Sequence, residues 1–251
     1  PGPRRPLPSH TDPQKGPRKA MPDFTSLIRD GALSLVVSLP RNDLDLARAA
    51  LDAGADAIKV HANVWHRASG NTFGSLEDNR SFLHDLITVA QDRPVGLVPG
   101  ARDSFITPRE LRELEDMGLS FFSAYADDCP PFMLASSLTR MLAIHDTYTR
   151  ADLVGLHDWD RVDVVEASII NGEEYGSPLS VTDLLRYRSI VRTTGKPVLV
   201  PTQRAIDPDD VWALRAAGCG AVMIGAMVMK GAGASCVAEA TRSFRRAIDS
   251  I

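Results

Sequence analysis

The stretch "ADAIKVHANVWHRASGNTFGSLEDNRSFLHDLITVA", residues 55–90, is one complete strand–loop–helix unit. In its opening segment Ile58, Val60 and Ala62 fall on one face, while Lys59, His61 and Asn63 fall on the other, which is the period-two signature of a β-strand. Its closing segment, 75–90, starts at a serine and carries apolar residues at helical spacing. The apolar strand face suits packing against helices. The Lys–His–Asn face must meet surroundings that tolerate charge, and the inside of a barrel near its rim is such a place.

The same unit recurs along the chain. Further strand candidates are 33–39 (LSLVVSL), 94–100 (PVGLVPG), 120–125 (SFFSAY), 140–146 (RMLAIHD), 162–169 (VDVVEASI), 197–202 (PVLVPT) and 221–226 (AVMIGA). Helical patterns fill the intervals at 41–54, 107–118, 130–140, 150–158, 180–195 and 207–218, and a last one covers 234–248. Several of these patterns start at Asp, Ser or Thr and stop at Gly, as capping chemistry requires. Eight βα units in about 220 residues predict an α/β fold: a single (β/α)8 TIM barrel over residues 23–251. An open doubly wound sheet is the other arrangement of such units. It needs a Gly-rich turn after the first strand, where this chain has "SLPRND" (38–43).

Composition narrows the function classes. The 251 residues are 44% hydrophobic and 24% charged, ordinary for a globular protein. Residues 1–22 differ, with seven prolines and no apolar periodicity, and read as a flexible tail or as translated upstream sequence with Met21 near the natural start. The chain has 28 basic and 32 acidic residues, and removing residues 1–20 leaves 23 and 31, a net charge of −8 that gives no footprint for nucleic acid. Cys129, Cys219 and Cys236 show neither pairing nor metal spacing, which fits a reducing cytoplasm. No segment reads as a signal peptide, and the most apolar run, GAVMIGAMVM (220–229), is too short to span a bilayer.

In a barrel, function is expected on the loops after the strand C-termini. There the alternation sends Lys59 and His61 inward from strand two, and Glu166 and Ser168 inward from strand six. A lysine and a glutamate in one barrel are costly unless paired or functional. One reading is a structural ion pair across the mouth. The other is chemistry: a desolvated lysine binds an oxyanion or forms a Schiff base, and a glutamate takes a proton beside a carbonyl, with His61 assisting. Substrate-binding candidates are Asn63, His66 and Arg67 in the long segment after strand two, Ser123 and Tyr125 on strand four, His145 and Asp146 ending strand five, Ser168, and Gln203. Arg204, Gly225 and Ala226, after strands seven and eight, are the phosphate-binding candidates.

Residues 94–127, PVGLVPGARDSFITPRELRELEDMGLSFFSAYAD, and 197–231, PVLVPTQRAIDPDDVWALRAAGCGAVMIGAMVMKG, resemble the phosphate-binding TIM barrels, most closely the N-acylglucosamine-6-phosphate 2-epimerases. The likeness lies in "FITP" after strand three and the glycine-bearing close after strand eight, and it spans most of residues 31–230 in patches. It implies the barrel, a phosphate end and a sugar-like substrate. The epimerases also carry a lysine ending strand three and a glutamate ending strand seven, where this chain has Pro99 and Pro201. Their catalytic pair is therefore not carried over.

Three functional expectations follow. The first is a cofactor-independent isomerase, epimerase or lyase acting on a small phosphorylated sugar-like substrate through Lys59, Glu166 and His61, with a homo-oligomer left open. The second is a sugar-phosphate-binding or regulatory barrel that lost its ancestral pair. The third is a divalent-metal enzyme using His61, Glu166 and His145 or Asp146, which no short ligand motif supports.

Overall fold

A computed structural model describes residues 23–29, 32–231 and 233–251. The strands are β1 (Ser34–Ser38), β2 (Ala57–His61), β3 (Val64–His66), β4 (Asn71–Phe73), β5 (Val95–Val98), β6 (Phe121–Tyr125), β7 (Thr139–Ile144), β8 (Val164–Ala167), β9 (Val198–Pro201) and β10 (Ala221–Ile224). The helices are α1 (Phe24–Arg29), α2 (Leu44–Asp52), α3 (Leu76–Ala90), α4 (Pro108–Met117), α5 (Arg150–Gly155), α6 (Val181–Thr194), α7 (Val211–Ala217) and α8 (Ala234–Asp249). Eight strands close into a parallel barrel in the order β1-β10-β9-β8-β7-β6-β5-β2, so the chain is a TIM barrel.

Each barrel strand has two buried faces. Ile58, Val60, Val165 and Ala167 point outward into the layer between strands and helices. Val36, Ala57, Phe121, Met141, Val164 and Leu199 point inward and fill the lower barrel. The helices are fixed at their ends by local chemistry. Ser75, Thr107, Thr149 and Ser180 each cap a helix in a reciprocal pair with the acid three residues on, and Gly118, Gly195 and Gly218 end helices at positive φ.

Four features differ from the sequence expectations. The region 130–140 forms only a 3-10 turn, Pro131–Ala135, and its last two residues already belong to β7, which starts at Thr139. The α-helical part of 150–158 stops at Gly155. The long segment after β2 holds an antiparallel hairpin, β3–β4, with Val64 opposite Phe73 and His66 opposite Asn71. Finally, α1 closes the bottom of the barrel. The Phe24 ring stacks on Phe121 with centroids 3.7 Å apart and planes 7° apart, and Ser34 Oγ donates to the Leu27 carbonyl. Gly96, in register with Phe121, leaves the space that the Phe121 ring occupies.

The tail expected at residues 1–22, with Met21, lies outside the described residues. Among the described residues no helix is long and apolar enough to cross a membrane.

Candidate active site

With the lower barrel filled, the open space lies at the C-terminal ends of the strands, as a cavity of about 740 Å³. The register of the sheet puts Lys59 beside Ser38 and Gly96, and Glu166 beside Ala143 and Leu199. From these opposite strands the two side chains meet. Lys59 Nζ lies 3.1 Å from Glu166 Oε2 and 3.4 Å from Oε1, and the two residues are each only 5% exposed. Ser123 Oγ donates to Oε2 at 2.6 Å, and Ser168 Oγ donates to Oε1 at 3.0 Å. Burial alone would push the Glu166 carboxyl up, but the Lys59 ammonium and these donors outweigh it and hold the group below the usual carboxylate range. Glu166 therefore rests as a carboxylate.

His61, one turn of the alternation above Lys59, lines the same cavity and is buried. Its ring packs 4.4 Å from His66 and 4.6 Å from Phe73, and its Nδ1 is buried without a hydrogen-bond partner. Burial, then His66 and Lys59, drive its pKa well below the ordinary histidine value. His66 descends from the hairpin, with Nδ1 2.9 Å from Ser69 Oγ, and burial together with Lys59 lowers its pKa to about 4. Both imidazoles are neutral at pH 7, so each has one donor and one acceptor nitrogen.

The wall opposite carries Tyr125, a residue 38% exposed whose hydroxyl lies against Ser168 and Tyr175. Burial, with Tyr175 and Glu166 nearby, pushes the Tyr125 pKa up and keeps the phenol protonated. His145 holds Asp127 at 2.5 Å through Nε2 and meets Thr147 Oγ1 at 3.0 Å through Nδ1. Tyr148 donates to the other oxygen of Asp127. His145 and Asp146 both line the cavity rim. Gly225 and Ala226 line it from the loop after β10, and Arg67 from the hairpin.

Three expected binding residues are occupied elsewhere. Arg204 does not face the cavity: its guanidinium is buried against Asp183, 3.0 Å from Oδ2, and also binds Glu174 and Ser177, because an arginine this deep needs carboxylates around it. Asn63 lies beyond the end of β2 at φ 56°, so the strand alternation no longer applies to it, and its amide donates to the Pro99 carbonyl. Gln203 lines the cavity, but its side chain accepts from Ile170 N–H at 3.1 Å and donates to Tyr175 at 2.6 Å, so it positions the loop after β8. Among the described residues no group of three His, Cys, Asp or Glu side chains converges on a metal-sized site, and the set His61, Glu166 and His145 or Asp146 does not assemble.

Several cavity residues were not anticipated from sequence. Ser38 ends β1 in the same layer as Lys59, and its place at a strand end was a readable signal. Trp65 is in the short strand β3, and Arg102, Asp128, Tyr175 and Thr202 sit in connections whose course a sequence does not fix. Pro201 lies on the cavity wall, with no ionisable group at the position where the epimerases carry their glutamate.

No protein-family model and no curated protein sequence matches the chain. Solved structures do share its fold. Tryptophan synthase from M. tuberculosis superposes with a TM-score of 0.68 at 13% identity, over 92% of this chain and 99% of that one. Thiamine phosphate pyrophosphorylase from Pyrococcus furiosus gives 0.60 at 15% identity, over 89% and 98%. Phosphoribosyl anthranilate isomerase from Thermus thermophilus gives 0.59 at 16% identity, over 87% and 99%. At these identities the likeness is one of fold. None of the three is an N-acylglucosamine-6-phosphate epimerase; they bear out the barrel read from the sequence, and the finer likeness gains no support from them.

Proposed function

We propose that this barrel is a cofactor-independent enzyme of the isomerase, epimerase or lyase type, acting beside the carbonyl of a small phosphorylated, sugar-like substrate in a reducing cytoplasm. The observation that carries the reading is the buried Lys59–Glu166 contact at the floor of an open cavity, its carboxylate held by two serine hydroxyls. A purely structural pair has no need of a cavity of about 740 Å³ above it.

The chemistry follows from the pair. Transfer of an ammonium proton from Lys59 to Glu166, over a 3.1 Å contact, gives a neutral amine and a carboxylic acid. The amine adds to the substrate carbonyl carbon, one of its protons passes to the carbonyl oxygen, the acid returns its proton to the resulting hydroxyl, and water leaves as the protonated imine forms; water hydrolyses it at the end and frees Lys59. The imine draws electrons from the neighbouring carbon. Glu166, a carboxylate again, accepts the proton lost there and returns it to the same or the other face. In a lyase the same sink accepts the electrons of a breaking carbon–carbon bond. Neutral His61, with Nδ1 unpaired, relays or orients the substrate hydroxyls.

The test is deuterium uptake from D2O by a panel of sugar phosphates, read by NMR, with borohydride added to trap an imine. The parent protein is expected to exchange one substrate's proton and to yield a reduced adduct at Lys59. Lys59→Ala and Glu166→Ala each lower exchange by about 10²–10⁴-fold. Exchange without an adduct assigns Lys59 to hydrogen bonding of the enolate oxygen. Binding without any exchange in the parent overturns the enzyme reading in favour of a binding barrel.

A further inference from the structure

The barrel rim has two places where an anionic substrate group could be held. One is the loop pair after β9 and β10, the usual phosphate end of this fold. Its polar side chains are already engaged. Arg204 is enclosed by Asp183 and Glu174, the Gly225 N–H donates to Thr202 Oγ1 at 3.2 Å, and both ends of the Gln203 amide are bonded. Among the described cavity-lining residues of these two loops, none is a cation.

The other place is the β3–β4 hairpin. It rises from β2, which carries Lys59, and Arg67 at its tip reaches toward the loop after β8, which carries Glu166: its guanidinium occupies the space a side chain at Gly172 would fill. Arg67 thus spans the mouth above the Lys59–Glu166 pair. The other lysine and arginine on the wall have partners, since Lys59 meets Glu166 and Arg102 lies 3.5 Å from Asp128, while Asp146 places a carboxylate on the rim. No carboxylate is paired with Arg67 among the described residues, and its charge is felt by Tyr175. Trp65 is next to it, 58% exposed and yet on the cavity wall.

We propose that Arg67 is the anion-recognition residue of the cavity, holding the phosphate of the substrate at the β3–β4 hairpin, with the carbonyl end directed down to Lys59. A guanidinium offers two parallel N–H donors matched to phosphate oxygens, and Trp65 supplies an apolar face for the body of the molecule. The substrate so defined bears its phosphate at the end opposite its reactive carbonyl. The inference rests on the cavity being the active site, but its test is independent of turnover.

In a Trp159→Phe, Trp212→Phe background, Trp65 is the sole tryptophan reporter. Inorganic phosphate titrated at constant ionic strength is expected to change its emission saturably. Arg67→Gln is expected to weaken the apparent Kd at least about tenfold and Arg67→Lys by less, because a point charge lacks the fork. Ala226→Asp, which places a carboxylate at the β10 end, is expected to leave the response intact. Phosphate binding that survives Arg67→Gln, that is lost in Ala226→Asp, or that is absent from the parent overturns the proposal. Lys59→Ala and Glu166→Ala keep the phosphate response while losing exchange, so failure of the chemistry and failure of the anion site are told apart.

Discussion

Glu166 accepts from Lys59, Ser123 and Ser168, and that arrangement makes it intolerant of change on one side only. Removing Glu166 leaves the Lys59 ammonium buried without its counter-charge, and Glu166→Leu is expected to cost about 3–5 kcal/mol in urea unfolding. Replacing both partners, as Lys59→Met with Glu166→Leu, recovers most of that loss while abolishing exchange. The pH dependence has a definite sign. Neutral His61 and His66 have depressed pKa values, so the unfolded chain binds protons first as pH falls below about 6.5. Glu166, also depressed, loses its contribution at still lower pH, when its carboxylate is protonated. The urea midpoint is therefore expected to fall as pH drops from about 6.5 toward about 4, and to fall less in His66→Phe. Lys59 and Glu166 were readable because each interrupts an apolar run at inward parity. Arg204 was not, since its partner Asp183 is 21 residues away and only the fold brings the two together.

At the scale of elements, the barrel strands were legible because a strand buried on both faces reads as a short Val/Ile/Leu run between turn signals. The 130–140 region shows the limit of periodicity: apolar residues at helical spacing form only a 3-10 turn, and the sheet takes the chain into β7 from Thr139. The β3–β4 hairpin was hidden by its length, three residues a side. Its signal was nevertheless present, Val-Trp-His and Asn-Thr-Phe flanking a turn with Gly70 at φ 65°. The contact between β5 and β6 offers a sharp test. A methyl at Gly96 overlaps the Phe121 ring, a rigid group already stacked on Phe24, so Gly96→Ala is expected to destabilise the fold by about 1–3 kcal/mol in thermal or urea unfolding.

For the whole molecule, the six-residue α1 was unreadable as a helix because it is too short to show periodicity and is held by what it covers. Phe24 and Ile28 are buried with Phe121, Val164 and Leu199 in the lower barrel. Phe24→Ala is expected to cost about 3–5 kcal/mol by calorimetry or urea unfolding. Because the variant removes a contact on the far side of the filled layer, proton exchange at saturating substrate is expected to persist below its melting temperature. The closed floor also governs traffic. Among the described residues α1 and the Phe121 layer close one end of the barrel, so whatever reaches Lys59 comes and goes at the other. On the proposed function, product still lodged under the hairpin bars the next arrival, so it is expected to compete with substrate and to slow turnover by occupancy alone, as product-inhibition kinetics would read.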